Sequence, residues 1–127
     1  VIMADSLRIL VVDDNEALNE TLCLMLDLLG HCATGARTGA RAIALAGEHP
    51  PDVVLMDISL PDQSGFDICR ALRDIPALAR TRLIAHSGYN DRERIAAAYA
   101  AGFQDYLVKP ISLDALERLL ASVARTD

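Results

Sequence analysis

The chain has no tryptophan, and its aromatic complement is only 3 Tyr and 2 Phe. It also has no run of Lys or Arg: 12 basic residues stand against 18 acidic ones, a net charge of −6. Binding to a phosphate backbone needs a basic face, so direct nucleic-acid binding is not expected. Long apolar runs are missing as well. The stretch Leu22 to Leu26 stops at Asp27, far short of the roughly 18 residues that a membrane span requires. Val1 to Ser6 show no basic segment followed by an apolar one, so no signal peptide is expected, and Val1 in first place leaves an origin in a longer chain open. The cysteines Cys23, Cys32 and Cys69 are odd in number and widely spaced, which fits neither a disulfide framework nor a zinc site. A reducing cytoplasm is the expected setting.

What is present suits one folded domain. A length of 127 residues, with 52% hydrophobic and 24% charged, sits near the usual size of about 150 residues per domain and outside the composition of disordered chains. The expected division is an N-terminal extension at 1–6, the domain at 7–123 and a tail at 124–127. Leu7 to Val12 is a short β-branched run ending in acids, the pattern of a strand buried on both faces. Glu16 to Leu29 carry Leu18, Leu22, Met25 and Leu29 at helical spacing, with Gly30 as the C-terminal stop. Leu24 and Leu28 form a second apolar pair off that stripe and are expected to be exposed. His31 to Ala36 is a weak second strand, and Thr38 caps a helix running toward Pro50.

The alternation continues. Val53 to Met56 is a third strand, followed by a loop from Leu60 to Gly65 and a helix carrying Phe66, Ile68, Leu72 and Ile75. Arg82 to Ser87 is a fourth strand; Asn90 with Glu93 predicts a capping box for a helix that Gly102 stops. Asp105 to Val108 is the fifth strand, and Ser112 caps a last helix. Five strands alternating with five helices imply an α/β fold, an open doubly wound parallel sheet. Ligands of such sheets sit beyond the carboxyl ends of the strands.

Those ends carry Asp13 and Asp14, then Asp57, Ser87 and Lys109 with Pro110. Two carboxylates about 5 Å apart at an effective dielectric of about 20 repel by roughly 3 kcal/mol, so the group needs cations. A hard divalent ion such as Mg²⁺ is the natural one. Alone, each residue reads as a cap, a turn or a strand end. Together, at the ends of alternating strands, they read as a site. His86 is expected to be a packed, neutral histidine turned away from Ser87, while His31 and His49 are expected to face solvent. Cys69 is expected to have no redox role.

The segments VVDD at 11–14, LMDISLPDQSGFD at 55–67, LIAHSGY at 83–89 and DYLVKP at 105–110 resemble the receiver domain of two-component response regulators. The resemblance covers about 7–123, and the segment from Gly88 to Pro110 is as similar to receivers of hybrid histidine kinases as to free-standing ones. It implies a (βα)5 flavodoxin-like fold with strand order 2-1-3-4-5. It implies Asp57 as phosphoacceptor from a phosphohistidine of a kinase or phosphotransfer protein, with Mg²⁺ held by Asp14, Asp57 and the Ser59 backbone carbonyl, and by Asp13 mostly through a metal-bound water. Lys109 and Ser87 would bind phosphoryl oxygens, and Tyr106 would be the switch aromatic coupled to Ser87. Ser59 and Tyr89 stand where the family tunes dephosphorylation, with Tyr89 expected to shield the phosphoryl group. The partner surface would use Asn15, Leu18, Thr21, Pro110 and Ile111, and the Lys109–Pro110 bond would be cis.

The resemblance implies a signalling domain that switches contact with a downstream protein, not an enzyme turning over external substrates. It also implies a cytoplasmic place, alone or as part of a membrane-attached kinase. His86 departs from the family, which usually has an apolar residue there. A haloacid dehalogenase-type phosphatase would need two acids separated by one residue after the first strand, and a flavodoxin would need a Ser/Thr/Gly-rich loop there; neither is present. A receiver-like module acting without phosphate is the remaining alternative, and the intact acids, Ser87 and Lys109 argue against it.

Overall fold

The structure, a computed structural model, describes residues 6–60 and 64–125. The predicted extension up to residue 5, loop residues Pro61 to Gln63 and the last two residues of the tail lie outside it. Strands β1 (Arg8–Val12), β2 (Cys32–Ala36), β3 (Val53–Asp57), β4 (Arg82–Ser87) and β5 (Asp105–Val108) alternate with helices α1 (Glu16–Leu28), α2 (Gly39–Glu48), α3 (Gly65–Arg73), α4 (Arg92–Ala101) and α5 (Leu113–Arg125). All strand pairs are parallel and the sheet order is β2-β1-β3-β4-β5.

The sheet separates two cores. Leu10, Val12, Val54, Met56, Leu83 and Ala85 face one, with Ala42, Ile68, Leu72 and Ala98 from α2, α3 and α4. Ile9, Val11, Val53, Leu55 and Ile84 face the other, with Leu22 and Leu26 of α1 and Leu116 and Leu120 of α5. Alternation along β1, β3 and β4 therefore divides their apolar residues between the two cores. Strand β3 is buried along its whole length, and β1 and β4 are buried beyond their first residues, Arg8 and Arg82, as their apolar runs require. Strand β2, at the edge, buries only Ala36 and is one residue shorter than expected.

Local chemistry sets the helix ends. Thr38 accepts the Arg41 N–H, and Ser112 accepts the Ala115 N–H. Gly30 and Gly102 take positive φ just past α1 and α4, where an L side chain would be strained. Four local expectations are corrected. The cap of α4 is Asp91, which accepts the Arg94 N–H, and not Asn90, so the helix starts one residue later. Helix α3 ends at Arg73, and Ile75 instead leads into a short 3-10 turn at Pro76–Leu78. The buried stripe of α1 is Asn19, Leu22 and Leu26, with Leu18, Met25 and Leu29 only half-buried. His31 is not solvent-facing: it is half-buried and its Nδ1 accepts the Leu7 N–H at 3.0 Å. His49 is exposed as expected, and so are Leu24 and Leu28.

Candidate functional site

The alternation that builds the α1/α5 core also aims the site. Val11, Leu55, Ile84 and Leu107 belong to that core, so Asp13, Asp57, His86 and Lys109, each two residues on, point to the same side beyond it. Asp57 and His86 are also paired in the β3–β4 register. The carboxylates of Asp13, Asp14 and Asp57 offer oxygen atoms that all lie within 4.8 Å of one another. Asp13 and Asp57 are buried and Asp14 is exposed, giving the cluster a floor and an outer rim.

Lys109 closes the floor. Its Nζ donates to Asp57 Oδ2 at 2.9 Å and lies 3.3 Å from Asp13 Oδ2. Burial lowers the affinity of the ammonium for its proton, but the hydrogen bonds and charges of Asp57 and Asp13 outweigh this and the net shift is upward. The lysine therefore keeps its positive charge. The other carboxylate oxygens are held by backbone donors: Asn15 N–H on Asp13 Oδ1 at 2.9 Å and Ser59 N–H on Asp57 Oδ1 at 2.8 Å. The Lys109–Pro110 bond is cis, as expected.

Three carboxylates against one ammonium leave an excess of negative charge on hard oxygen donors, two of them withdrawn from water. That donor set fits a small divalent cation that prefers oxygen ligands, Mg²⁺ among them. Within the described residues no other group of His, Cys, Asp and Glu side chains is arranged to hold a metal ion.

Ser87 is fully buried and its Oγ accepts the Tyr89 N–H at 3.1 Å. The Tyr106 hydroxyl donates to the Tyr89 carbonyl at 2.7 Å, tying β5 to the loop after β4. Tyr89 itself is half-exposed, and its ring stacks on the Arg94 guanidinium at 3.7 Å. On the rim beside Lys109, Leu18, Thr21, Pro110 and Ile111 line an apolar groove of about 360 Å³ together with Leu22 and Met25. Asn15 is not in that groove; it is exposed and caps α1 through the Leu18 N–H.

Two residues that shape the site carry no motif. Asn19 is buried on α1, and its Nδ2 reaches the carbonyls of Asp13 and Ala36 at 3.1 and 3.0 Å and that of Val11 at 3.3 Å. It thereby ties the chain at Asp13 to β1 and β2. A Cβ on Gly35 would collide with the Asn19 side chain, so glycine makes room for this tie. The signal was a polar residue on the 19, 22, 26 stripe of an otherwise apolar helix face. His86 is the other. It is buried as expected, and its pKa is lowered to about 4, first by burial and then by Lys109, with Asp57 acting in the opposite direction. Turning away from Ser87, however, means turning into the acid cluster, and Nε2 lies 3.8 Å from Asp13 Oδ2.

An open parallel sheet with an acid cluster and a lysine at its carboxyl edge can hold a divalent cation beside a positive charge, and similarity makes the class specific. The chain belongs to the response regulator receiver domain family, whose model matches residues 9–121. It is 39% identical over 118 residues to the transcriptional regulatory protein KdpE of Mycobacterium tuberculosis, covering 92% of this chain and 51% of that protein. It is 40% identical over 126 residues to the virulence sensor protein BvgS of Bordetella pertussis, covering 94% of this chain and 10% of BvgS. The chain thus spans about half the length of KdpE and a tenth of BvgS.

Solved structures agree on the fold. The Vibrio cholerae chemotaxis protein CheY4 superposes with a TM-score of 0.88 at 25% identity, covering 93% of this chain and 98% of that one. The receiver domain of the sensor histidine kinase PA1611 from Pseudomonas aeruginosa, solved with a magnesium ion coordinated in its active-site cleft, gives 0.87 at 29% identity, covering 94% and 98%.

Proposed function

We propose that this receiver domain takes a phosphoryl group onto Asp57 from a phosphohistidine of a histidine kinase or phosphotransfer protein. The observation that carries the reading is the Lys109 Nζ contact with Asp57 Oδ2 at 2.9 Å inside the acid cluster. A carboxylate oxygen of Asp57 forms the new P–O bond as the P–N bond of the donor breaks, and the donor imidazole leaves with the bonding pair. Mg²⁺ held by Asp13, Asp14, Asp57 and the Ser59 backbone carbonyl would supply the positive charge that lets carboxylate and phosphoryl oxygens approach. Lys109 pairs with Asp57 before transfer and with a phosphoryl oxygen afterwards. Ser87 turns its hydroxyl to another phosphoryl oxygen, and in doing so releases the Tyr89 N–H that it now accepts.

That release couples to Tyr106, whose hydroxyl holds the Tyr89 carbonyl, so the loop after β4 is the element that phosphorylation biases. The Leu18, Thr21, Pro110 and Ile111 groove, together with the exposed Asn15 outside it, receives the donor protein; the switched loop presents a surface to a downstream target. Ser59 and Tyr89 set how long the phosphoryl group survives, and Tyr89 must leave Arg94 to act as a shield. The domain occupies 7–123, works on the cytoplasmic side, and turns over only its own phosphoryl group. Among the described residues no helix is long and apolar enough to cross a membrane.

The test is intact-mass measurement after incubation with acetyl phosphate and Mg²⁺. A gain of about 80 Da, absent in Asp57→Asn, is the expected outcome. No gain, or a gain that survives the substitution, overturns the assignment.

A further inference from the structure

The carboxylate of Asp13 is held at both oxygens. Oδ1 accepts the Asn15 N–H, and Oδ2 lies 3.3 Å from Lys109 Nζ and 3.8 Å from His86 Nε2. The imidazole has no exposed surface, and neither of its nitrogens has a hydrogen-bond partner. A buried donor left unmade is destabilising, and native proteins rarely keep one without a use for it.

We propose that His86 is a positioning residue that takes over Asp13 Oδ2 when Lys109 turns to the phosphoryl group. The inference rests on the phosphoacceptor reading of Asp57. In the resting arrangement Lys109 bridges Asp13 and Asp57, and His86 waits outside hydrogen-bond distance. Once the ammonium swings to a phosphoryl oxygen, Asp13 Oδ2 loses its nearest donor. His86 Nε2 is the next nitrogen beside it, at 3.8 Å, and in the tautomer that carries its proton there an approach of about 1 Å brings the pair to an ordinary N–H···O length. Asp13 then keeps its orientation toward the cation through Asn15 N–H on one oxygen and the imidazole on the other. The phosphorylated arrangement satisfies a donor that the resting one does not, so His86 favours the loaded state.

The experiment uses beryllofluoride with Mg²⁺ as a stable phosphoryl mimic on the ¹⁵N-labelled chain, which has 3 histidines to resolve. Loading should shift the His86 Nε2–H resonance downfield and slow its exchange with water, while the signals of His31 and His49 stay in place. His86→Leu should melt no lower than the parent in the absence of metal yet bind beryllofluoride about tenfold more weakly. His86→Gln, whose amide can present a donor from the same position, should keep the affinity within about threefold. Loading with an unmoved His86 signal, or a His86→Leu affinity equal to the parent's, overturns the proposal and leaves the Asp57 reading intact. A parent that fails to load overturns both. Should His86→Leu fail to fold, the parent resonance and His86→Gln still decide the question.

Discussion

Lys109 is the chain's single lysine, the other eleven basic residues being arginine. Its compact ammonium suits a role as a mobile point charge between two carboxylates, where a guanidinium would lock into a fixed fork. Removing it leaves Asp13 and Asp57, both nearly inaccessible, without their cation. Lys109→Met should therefore lower stability by about 2 kcal/mol in urea unfolding without metal, less than a fully buried pair because the ammonium is a quarter exposed. The same substitution should tighten Mg²⁺ binding in calorimetric titration, because the competing cation is gone. Weaker metal binding would show that Lys109 orients the acids instead of competing for them. At this scale the sequence was most legible for Asp13, Asp14, Asp57, Ser87 and Lys109, because strand ends place them on one edge. It was least legible for His86 and Asn19. Alternation tells which face a residue takes, but what lies on that face is a tertiary fact, and a lone polar residue on an apolar stripe names no partner.

Among the elements, the central strands were legible because burial on both faces demands unbroken apolar runs. Strand β2 and the start of α4 were less so. CATGA has little apolar content, and Asn90 and Asp91 are adjacent caps of similar strength. The α3–α4 junction depends on one small residue from each side. Cys69 is fully buried, its Sγ lies 3.5 Å from the Ala101 carbonyl, and a Cβ on Gly102 would press on the Cys69 and Arg73 side chains. Burial raises the Cys69 pKa from 9.0 to about 11, against the opposing pull of Arg73 and Arg70. The folded value lies above the unfolded one, so the contribution to stability is full below pH 9 and is lost as pH rises toward 11. Between pH 8 and 10 the parent should lose about 1 kcal/mol more than Cys69→Ala, read as the difference in slope of urea unfolding against pH. Equal slopes would mean that the thiol ionises as readily folded as unfolded.

For the whole molecule, the parallel α/β layering follows from alternating strand and helix patterns, whereas the order β2-β1-β3-β4-β5 does not. Periodicity cannot say which strand lies beside which; the family resemblance supplied that order, and the registers bear it out. The order matters because it places β1, β3 and β4 side by side, so that residues 13, 57 and 86 meet at one edge though far apart in sequence. A ligand held there binds only the folded chain, since the unfolded chain scatters the same carboxylates. Metal binding is therefore linked to global stability. For a millimolar dissociation constant, 10 mM Mg²⁺ should stabilise by about 1.4 kcal/mol, or about 4 °C in melting temperature. Asp14 is the exposed member of the cluster, so its mutual repulsion with Asp13 and Asp57 is screened by water. Asp14→Asn should raise metal-free stability by less than about 1 kcal/mol and abolish the Mg²⁺-dependent rise. Thermal unfolding of parent and variant with and without Mg²⁺ checks both parts. A variant that keeps the full metal-dependent rise would remove Asp14 from the ligand set, leaving Asp13 and Asp57 to hold the ion from the floor of the site.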